Sequence, residues 1–300
     1  MELGRCTGSL LGLAIGDAIG TTLEFARRGS FEPITDLVGG GPFGLAPGQW
    51  TDDTSMALCL ATSLVECDGF DARDQMERYV RWWREGYLSC TGRCFDIGDT
   101  TRTALARFRV EGNPFAGSEH PGSAGNGSIM RLAPVALRFG RDALAAESHA
   151  ADSSRTTHGA SEAVDACRLL AGMLCRALAG AEKNDVLRGS AQSFRGSPKL
   201  EAIARGEYIA KRESEIRGSG YVVECLEAAL WCFAHTESFE AAVLSAANLG
   251  DDADTTAAVC GQLAGAVYGE RAIPERWLTR LAMRDEIAEL ARRLALADAA

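Results

Sequence analysis

Apolar residues recur every three or four positions along almost the whole chain, and no segment shows the convincing alternation that a half-buried strand needs. The pattern predicts helices over 5–24, 71–87, 101–111, 129–139, 141–153, 160–180, 184–194, 221–234, 238–249, 256–268, 274–281 and 284–298. A further helix follows the polar start Trp50-Thr51-Asp52-Asp53-Thr54. Between the helices lie loops at 91–100 and 120–127, and a Gly- and Pro-rich stretch at 38–49. That stretch is not a phosphate-binding P-loop, because no Gly-Lys-Ser/Thr follows it. It reads either as a connector or as a mobile cover over a site. Residues 195–220 are the least periodic and read as a partly helical surface excursion. With no linker, low-complexity tract or tandem repeat, the expectation is an all-α protein with one domain over 1–300.

Two of these helices carry glycine at four-residue spacing: Gly8, Gly12, Gly16 and Gly20 near the N-terminus, and Gly261, Gly265 and Gly269 near the C-terminus. Each glycine costs a helix about 1 kcal/mol relative to alanine, so such stripes need a reason. Smooth faces of this kind admit another backbone at close range. The two helices are therefore expected at the centre of the fold, where they can pack against each other. That placement would bring Asp17 and Glu24 toward the residues preceding the second helix.

Those residues are Gly250-Asp251-Asp252-Ala253-Asp254-Thr255-Thr256, three carboxylates and two hydroxyls at a helix start. Helix capping needs one such side chain. Thr51-Asp52-Asp53-Thr54 repeats the arrangement about 200 positions earlier. If the two starts face each other, Asp52, Asp53, Asp252 and Asp254 form a set of carboxylates that cannot stay charged and buried without cations. Oxygen ligands of this kind suit Mg, Mn or Ca, and Thr51 and Thr255 add further oxygens. Asp251 reads as the extra acid, a cap or a partner of the ligands. Asp17 reads as structural, binding backbone amides.

Composition narrows the classes. A net charge of −10 and the absence of a basic block argue against direct nucleic-acid binding. The ten cysteines form no Cys-x-x-Cys pair and read as buried free thiols of a reducing compartment, the cytoplasm. No signal peptide is evident. The apolar segment Ser9 to Ile19 contains Asp17 and falls short of the ~20 residues a transmembrane helix needs. A monomer is expected.

The ordered set Gly12-Leu13-Ala14-Ile15-Gly16-Asp17-Ala18-Ile19-Gly20 with Glu24, Thr51-Asp52-Asp53-Thr54, Asp96-Ile97-Gly98, Gly125-Asn126-Gly127, His158 and Gly250 to Thr256 resembles the ADP-ribosylglycohydrolase family. Within it, the pattern is most similar to the bacterial branch that removes ADP-ribose from arginine of dinitrogenase reductase. The resemblance implies an all-α, metal-dependent hydrolase with a binuclear Mg or Mn site held by Thr51, Asp52, Asp53, Asp252, Asp254 and Thr255. Glu24 matches an acid beside the metals, a ligand in some states or a gate. Asp96 matches the acid acting at the anomeric carbon. Asp99, Thr100, Gly125, Asn126, Gly127 and His158 fall in the segments that surround the ADP-ribose. The implied partner is an ADP-ribosylated protein, most simply one modified on arginine, or a small ADP-ribose conjugate.

The chain departs from that branch in two places. Asp99 stands where the branch has an amide, and 195–220 does not match the branch's aromatic substrate loop. Three alternatives set the limits of the reading. One is a hydrolase of O-linked ADP-ribose, on serine or as O-acetyl-ADP-ribose. The second is a non-catalytic ADP-ribose binder or immunity protein, which degenerate ligand positions would favour; all six are present here. The third is a prenyl-diphosphate enzyme, which needs Asp-Asp-x-x-Asp, whereas this chain has Asp52-Asp53-Thr54-Ser55-Met56.

Overall fold

Residues 2–297 are described by a computed structural model, and among them no strand is formed. The helices are α1 (Leu3–Gly20), α2 (Asp52–Glu66), α3 (Ala72–Glu85), α4 (Asp99–Glu111), α5 (Ala133–Phe139), α6 (Ala143–Arg155), α7 (Ser161–Leu178), α8 (Lys183–Arg188), α9 (Pro198–Ala204), α10 (Val222–Ala234), α11 (Phe239–Ala247), α12 (Ala253–Tyr268), α13 (Glu275–Leu278) and α14 (Arg284–Leu296). The all-α expectation holds.

The glycine stripes meet. A Cβ built on Gly12 would lie 2.3 Å from the Gly261 carbonyl oxygen, one on Gly8 2.5 Å from that of Gly265, and one on Gly16 2.2 Å from that of Ala257. One on Gly20 would lie 2.3 Å from the Ala253 oxygen. The pairing runs in opposite directions along the two chains, so α1 and α12 are antiparallel. This register sets the C-terminal end of α1, and Glu24 beyond it, against the N-terminal turn of α12. Both helices are buried over almost their full length, with α2, α7, α10, α11 and α14 packed around them. We expect Gly12→Ala to destabilise the protein by about 3 kcal/mol or more, because two backbones must separate to admit the methyl. Chemical denaturation would measure it, and a loss below about 1 kcal/mol would contradict this close approach.

By length and mean hydropathy Leu3–Leu23 would qualify as a membrane span, longer than its sequence suggested. It is instead the central core helix with its following turn, and 94% of its apolar 18-residue window is buried by protein.

Several boundaries shift for local reasons. The first helix ends at Gly20, and Thr21–Leu23 tighten into a 3-10 turn that releases Glu24 into extended backbone. The helix expected from 129 begins at Ala133, with Pro134 in its first turn, where the missing N–H is harmless. The helix expected over 184–194 stops at Arg188, and 195–220 holds α9 and two 3-10 turns. The last helix ends at Leu296; the expected end at 298 lies outside the described residues.

The loop 38–49 is pinned. Thr22 Oγ1 donates to the Gly39 carbonyl at 3.1 Å, and the Ala282 N–H donates to that of Gly48 at 3.0 Å. A second apolar cluster joins α2, α3 and α4 through Met56, Tyr79, Trp82, Leu105 and Phe108. It supports the α4 start and the loop before it, which carries Asp96.

Candidate metal centre and substrate cleft

Two helix N-termini converge, and each is capped by a carboxylate from a different element. Asp17 of α1 is fully buried. Its Oδ1 accepts from the Thr51 N–H and hydroxyl, both at 2.9 Å, and its Oδ2 accepts from the Thr54 N–H at 3.0 Å and hydroxyl at 2.6 Å. The structural role expected for Asp17 is thus met. Glu24 Oε2 accepts from the N–H groups of Ala253 at 2.9 Å and Asp254 at 3.3 Å, so it caps α12. With both N-termini already capped, Asp52, Asp53, Asp252 and Asp254 are left over for other work.

The two starts touch directly. The Thr51 hydroxyl reaches Asp254 Oδ2 at 3.2 Å, and that of Thr255 reaches Asp53 Oδ1 at 3.3 Å. The Thr255 N–H donates to Asp254 Oδ1 at 2.7 Å. One carboxylate oxygen from each of Glu24, Asp252 and Asp254 lies within 4.8 Å of the others. Asp53 Oδ2 is buried and finds no hydrogen-bond donor. A buried carboxylate oxygen without a donor is costly unless a cation meets it, and all the surrounding donor atoms are oxygens. The residues present therefore fit a hard divalent cation.

Electrostatics agree. Burial first, and then the charge of Asp254, pushes Asp52 and Asp53 well above the carboxylate range. The same two causes raise Glu24 and move Asp252 to about 7. Asp96 is pushed up to about 11 by burial and then by Asp52 and Asp254. In metal-free protein these folded-state values exceed the unfolded ones, so from about pH 4, where the unfolded chain releases its protons, up to the raised values, about 7 for Asp252 and about 11 for Asp96, the folded chain holds protons that the unfolded chain has lost. Stability of the metal-free protein therefore falls as pH rises. A bound cation replaces those protons. We expect the rise in melting temperature on adding Mg or Mn to be larger at pH 8 than at pH 5; an equal or smaller rise at pH 8 would contradict the assignment.

The cluster floors a cleft of about 430 Å³. Glu24, Asp52, Asp252, Asp254 and Thr255 line it together with Asp96, Asp99, Thr100, Gly125, Asn126, Gly127 and His158, while Thr51 and Asp53 sit behind its surface. Asp96 adopts a left-handed backbone, φ 61°, in the loop before α4. Asp99 is on the rim, its carboxylate exposed and paired with Arg102. Asn126 Nδ2 donates to Asp252 Oδ2 at 3.0 Å, linking the glycine turn to the acidic cluster.

His158 is buried beneath that turn: a Cβ on Gly127 would come 2.8 Å from its ring. Its Nδ1 bonds the Thr157 hydroxyl at 2.8 Å, and burial, with Arg131 nearby, pushes the imidazole down to about 3. It is a neutral support at working pH. Arg131, whose partner the sequence left open between a phosphate and an acid, is fully buried. It donates to the Gly127 carbonyl at 2.7 Å and the Thr157 hydroxyl at 2.8 Å, and lies over the Tyr79 ring. It braces the turn.

Three contributions were not anticipated. The carbonyls of Gly218 and Gly220 accept from the N–H groups of Asp252 at 2.9 Å and Asn126 at 3.1 Å, so the end of the 195–220 segment is part of the site. Its glycine doublet just before a helix was the available signal. Asp251 acts through its backbone, exchanging hydrogen bonds of 2.8 Å with the Phe25 N–H and the Ala26 carbonyl. Past Thr100, Gly125 and Gly220 the cleft continues into a hollow of about 680 Å³ that includes Glu162, Lys199 and Tyr221.

The geometry defines an all-α protein with an oxygen-rich acidic cluster, fit for a hard cation, at the floor of a cleft. Comparison with known proteins narrows that class. The family model described as ADP-ribosylglycohydrolase matches residues 2–300, and the chain belongs to that family of enzymes. It is 50% identical over 293 residues to the ADP-ribosylarginine hydrolase Tri1 of Pseudomonas putida, covering 97% of this chain and 78% of that protein. It is 33% identical to the ADP-ribosyl-[dinitrogen reductase] glycohydrolase of Rhodospirillum rubrum, covering 94% and 92%. A solved structure titled ADP-ribosylglycohydrolase-related protein complex superposes with a TM-score of 0.88 at 45% identity, covering 98% of this chain and 97% of that one.

Proposed function

We propose that this protein is a metal-dependent hydrolase that removes ADP-ribose from arginine side chains, acting as one catalytic domain. The observation that carries the reading is the convergence of six oxygen-bearing side chains from two already capped helix starts, with Asp53 Oδ2 buried and unpartnered. The 50% identity to an ADP-ribosylarginine hydrolase supports the linkage. Thr51, Asp52, Asp53, Asp252, Asp254 and Thr255 would hold two Mg or Mn ions, with Glu24 beside them. Bound there, the ions supply Lewis-acidic positions for neighbouring ribose hydroxyls.

The chain's own residues do the rest. The Gly125–Gly127 turn, braced by Arg131 and His158, offers backbone at close range to the sugar and phosphates, with Thr100 and Asp99 lining the same cleft. As the bond from the anomeric carbon to the guanidine nitrogen breaks, its electron pair leaves with the nitrogen and the ribose ring becomes positive. The carboxylates of the cleft stabilise that charge. Asp96 moves the proton: water adds to the anomeric carbon, and one proton ends on the released guanidine. The products are ADP-ribose and unmodified arginine. The hollow beyond Thr100 has room for the remainder of the nucleotide.

The test is a panel of ADP-ribose conjugates linked through arginine, serine and O-acetyl groups. Release from the arginine conjugate is expected, lost with chelator and restored by Mg or Mn. Release from an O-linked conjugate alone would replace the arginine assignment, and binding of ADP-ribose without any turnover would make the protein a binder.

A further inference from the structure

Phe25 follows Glu24 directly and lines the metal cleft, yet it is 68% exposed. Its backbone is left-handed, φ 61°, a conformation a bulky side chain adopts at a cost and keeps where its surroundings enforce it. Here the enforcement is visible: the Phe25 N–H is bonded to the Asp251 carbonyl, and Ala26 holds the Asp251 N–H. The clamp ties the ring to the same strand of backbone that presents Asp252. Behind it stands Phe43 of the pinned loop, edge to face at 6.3 Å, and then Phe95 at 5.3 Å from Phe43, next in the chain to Asp96. An apolar ring held open in solvent, in a cleft lined by six carboxylates, gains nothing for folding.

The cleft has two ends. The hollow suited to the nucleotide shares Thr100, Gly125 and Gly220 with the cleft and none of Glu24, Phe25 or Asp96. With the anomeric carbon at Asp96, the group leaving that carbon departs on the Phe25 side. On the reading above, that group is a substituted guanidinium, planar and cationic. Cations of this shape lie over aromatic faces, and acidic surroundings draw them in.

We infer that Phe25 is a specificity-determining residue that stacks on the guanidinium of the ADP-ribosylated arginine. This inference rests on the arginine reading. A neutral ester or serine oxygen at the same place has neither the charge nor the plane to use the ring. Phe43 and Phe95 act as positioning residues that keep the ring upright.

The test compares Phe25→Leu, which keeps apolar bulk without a π face, with Phe25→Trp, which keeps the face. Steady-state hydrolysis of an ADP-ribosylarginine peptide is measured alongside inhibition by free ADP-ribose, which lacks the guanidinium. We expect Phe25→Leu to raise KM for the peptide about fivefold to tenfold, the inhibition constant for ADP-ribose to move less than about twofold, and Phe25→Trp to restore KM. A parallel rise in both constants would overturn the inference by making Phe25 a wall of the nucleotide site. So would an unchanged KM in Phe25→Leu. If wild-type protein released no ADP-ribose from the peptide, the arginine reading itself would fall, and this inference with it.

Discussion

Asp252→Asn is expected to lower turnover at least about a hundredfold and to abolish most of the thermal stabilisation that Mg or Mn confers. The substitution keeps the size of the side chain, so the contact with Asn126 Nδ2 remains available. What it removes is one of the charges that the cation would neutralise. Metal-free Asp252→Asn protein should be no less stable than metal-free wild type, because a carboxylate pushed to about 7 by burial and by Asp254 has become a neutral amide. This combination, lower activity with undiminished metal-free stability, separates a ligand from a residue that merely supports the fold. Asp251→Asn is the matched control. Asp251 contributes through backbone hydrogen bonds to Phe25 and Ala26, so its variant should turn over within about twofold of wild type. Kinetics and thermal melts with and without Mn would measure both. Unchanged turnover in Asp252→Asn would sink the metal assignment.

Asp96→Asn should lower kcat by about a hundredfold to ten-thousandfold while leaving binding of ADP-ribose and metal intact. Asp96 lines the cleft but reaches it from the loop before α4, separate from the two capped helix starts. Its left-handed backbone presents no obstacle to the variant, because asparagine accepts that conformation as readily as aspartate does. The amide cannot take up or deliver a proton at the anomeric carbon. Loss confined to kcat, with an unchanged dissociation constant for ADP-ribose, marks a proton-transfer role. A rise in KM with kcat preserved would make Asp96 a binding residue instead.

Much of this site could be read from the chain because its parts are chemically expensive. Glycine at every fourth position of a soluble helix weakens that helix, and the two striped helices do pack on each other, Gly12 on Gly261 and Gly16 on Ala257. Carboxylates in excess of what a helix start needs announced Asp52, Asp53, Asp252 and Asp254, and the hydroxyls of Thr51 and Thr255, read as further oxygens for a cation, reach across to the facing carboxylates. Backbone contributions were harder to see. Gly218 and Gly220 supply carbonyl oxygens, which every residue possesses, so only their close spacing just before a helix hinted that the 195–220 segment walls the cleft. Arg131 gave a different difficulty. A charged side chain reads as a partner for a charge, yet it is fully buried against carbonyl oxygens, hydroxyls and the ring of Tyr79, groups that reach it from α3, from the glycine turn and from the end of α6. Helix ends moved where a local feature overrode periodicity, as with Pro134 at the start of α5.

The assignment is tested most directly by titrating Mn into chelator-stripped protein by calorimetry at neutral pH, beside Asp252→Asn. Saturation at two equivalents in wild type, with at least one equivalent lost in the variant, is the expected result. No saturable binding in wild type, or identical binding in the variant, would contradict a metal centre built from these two helix starts.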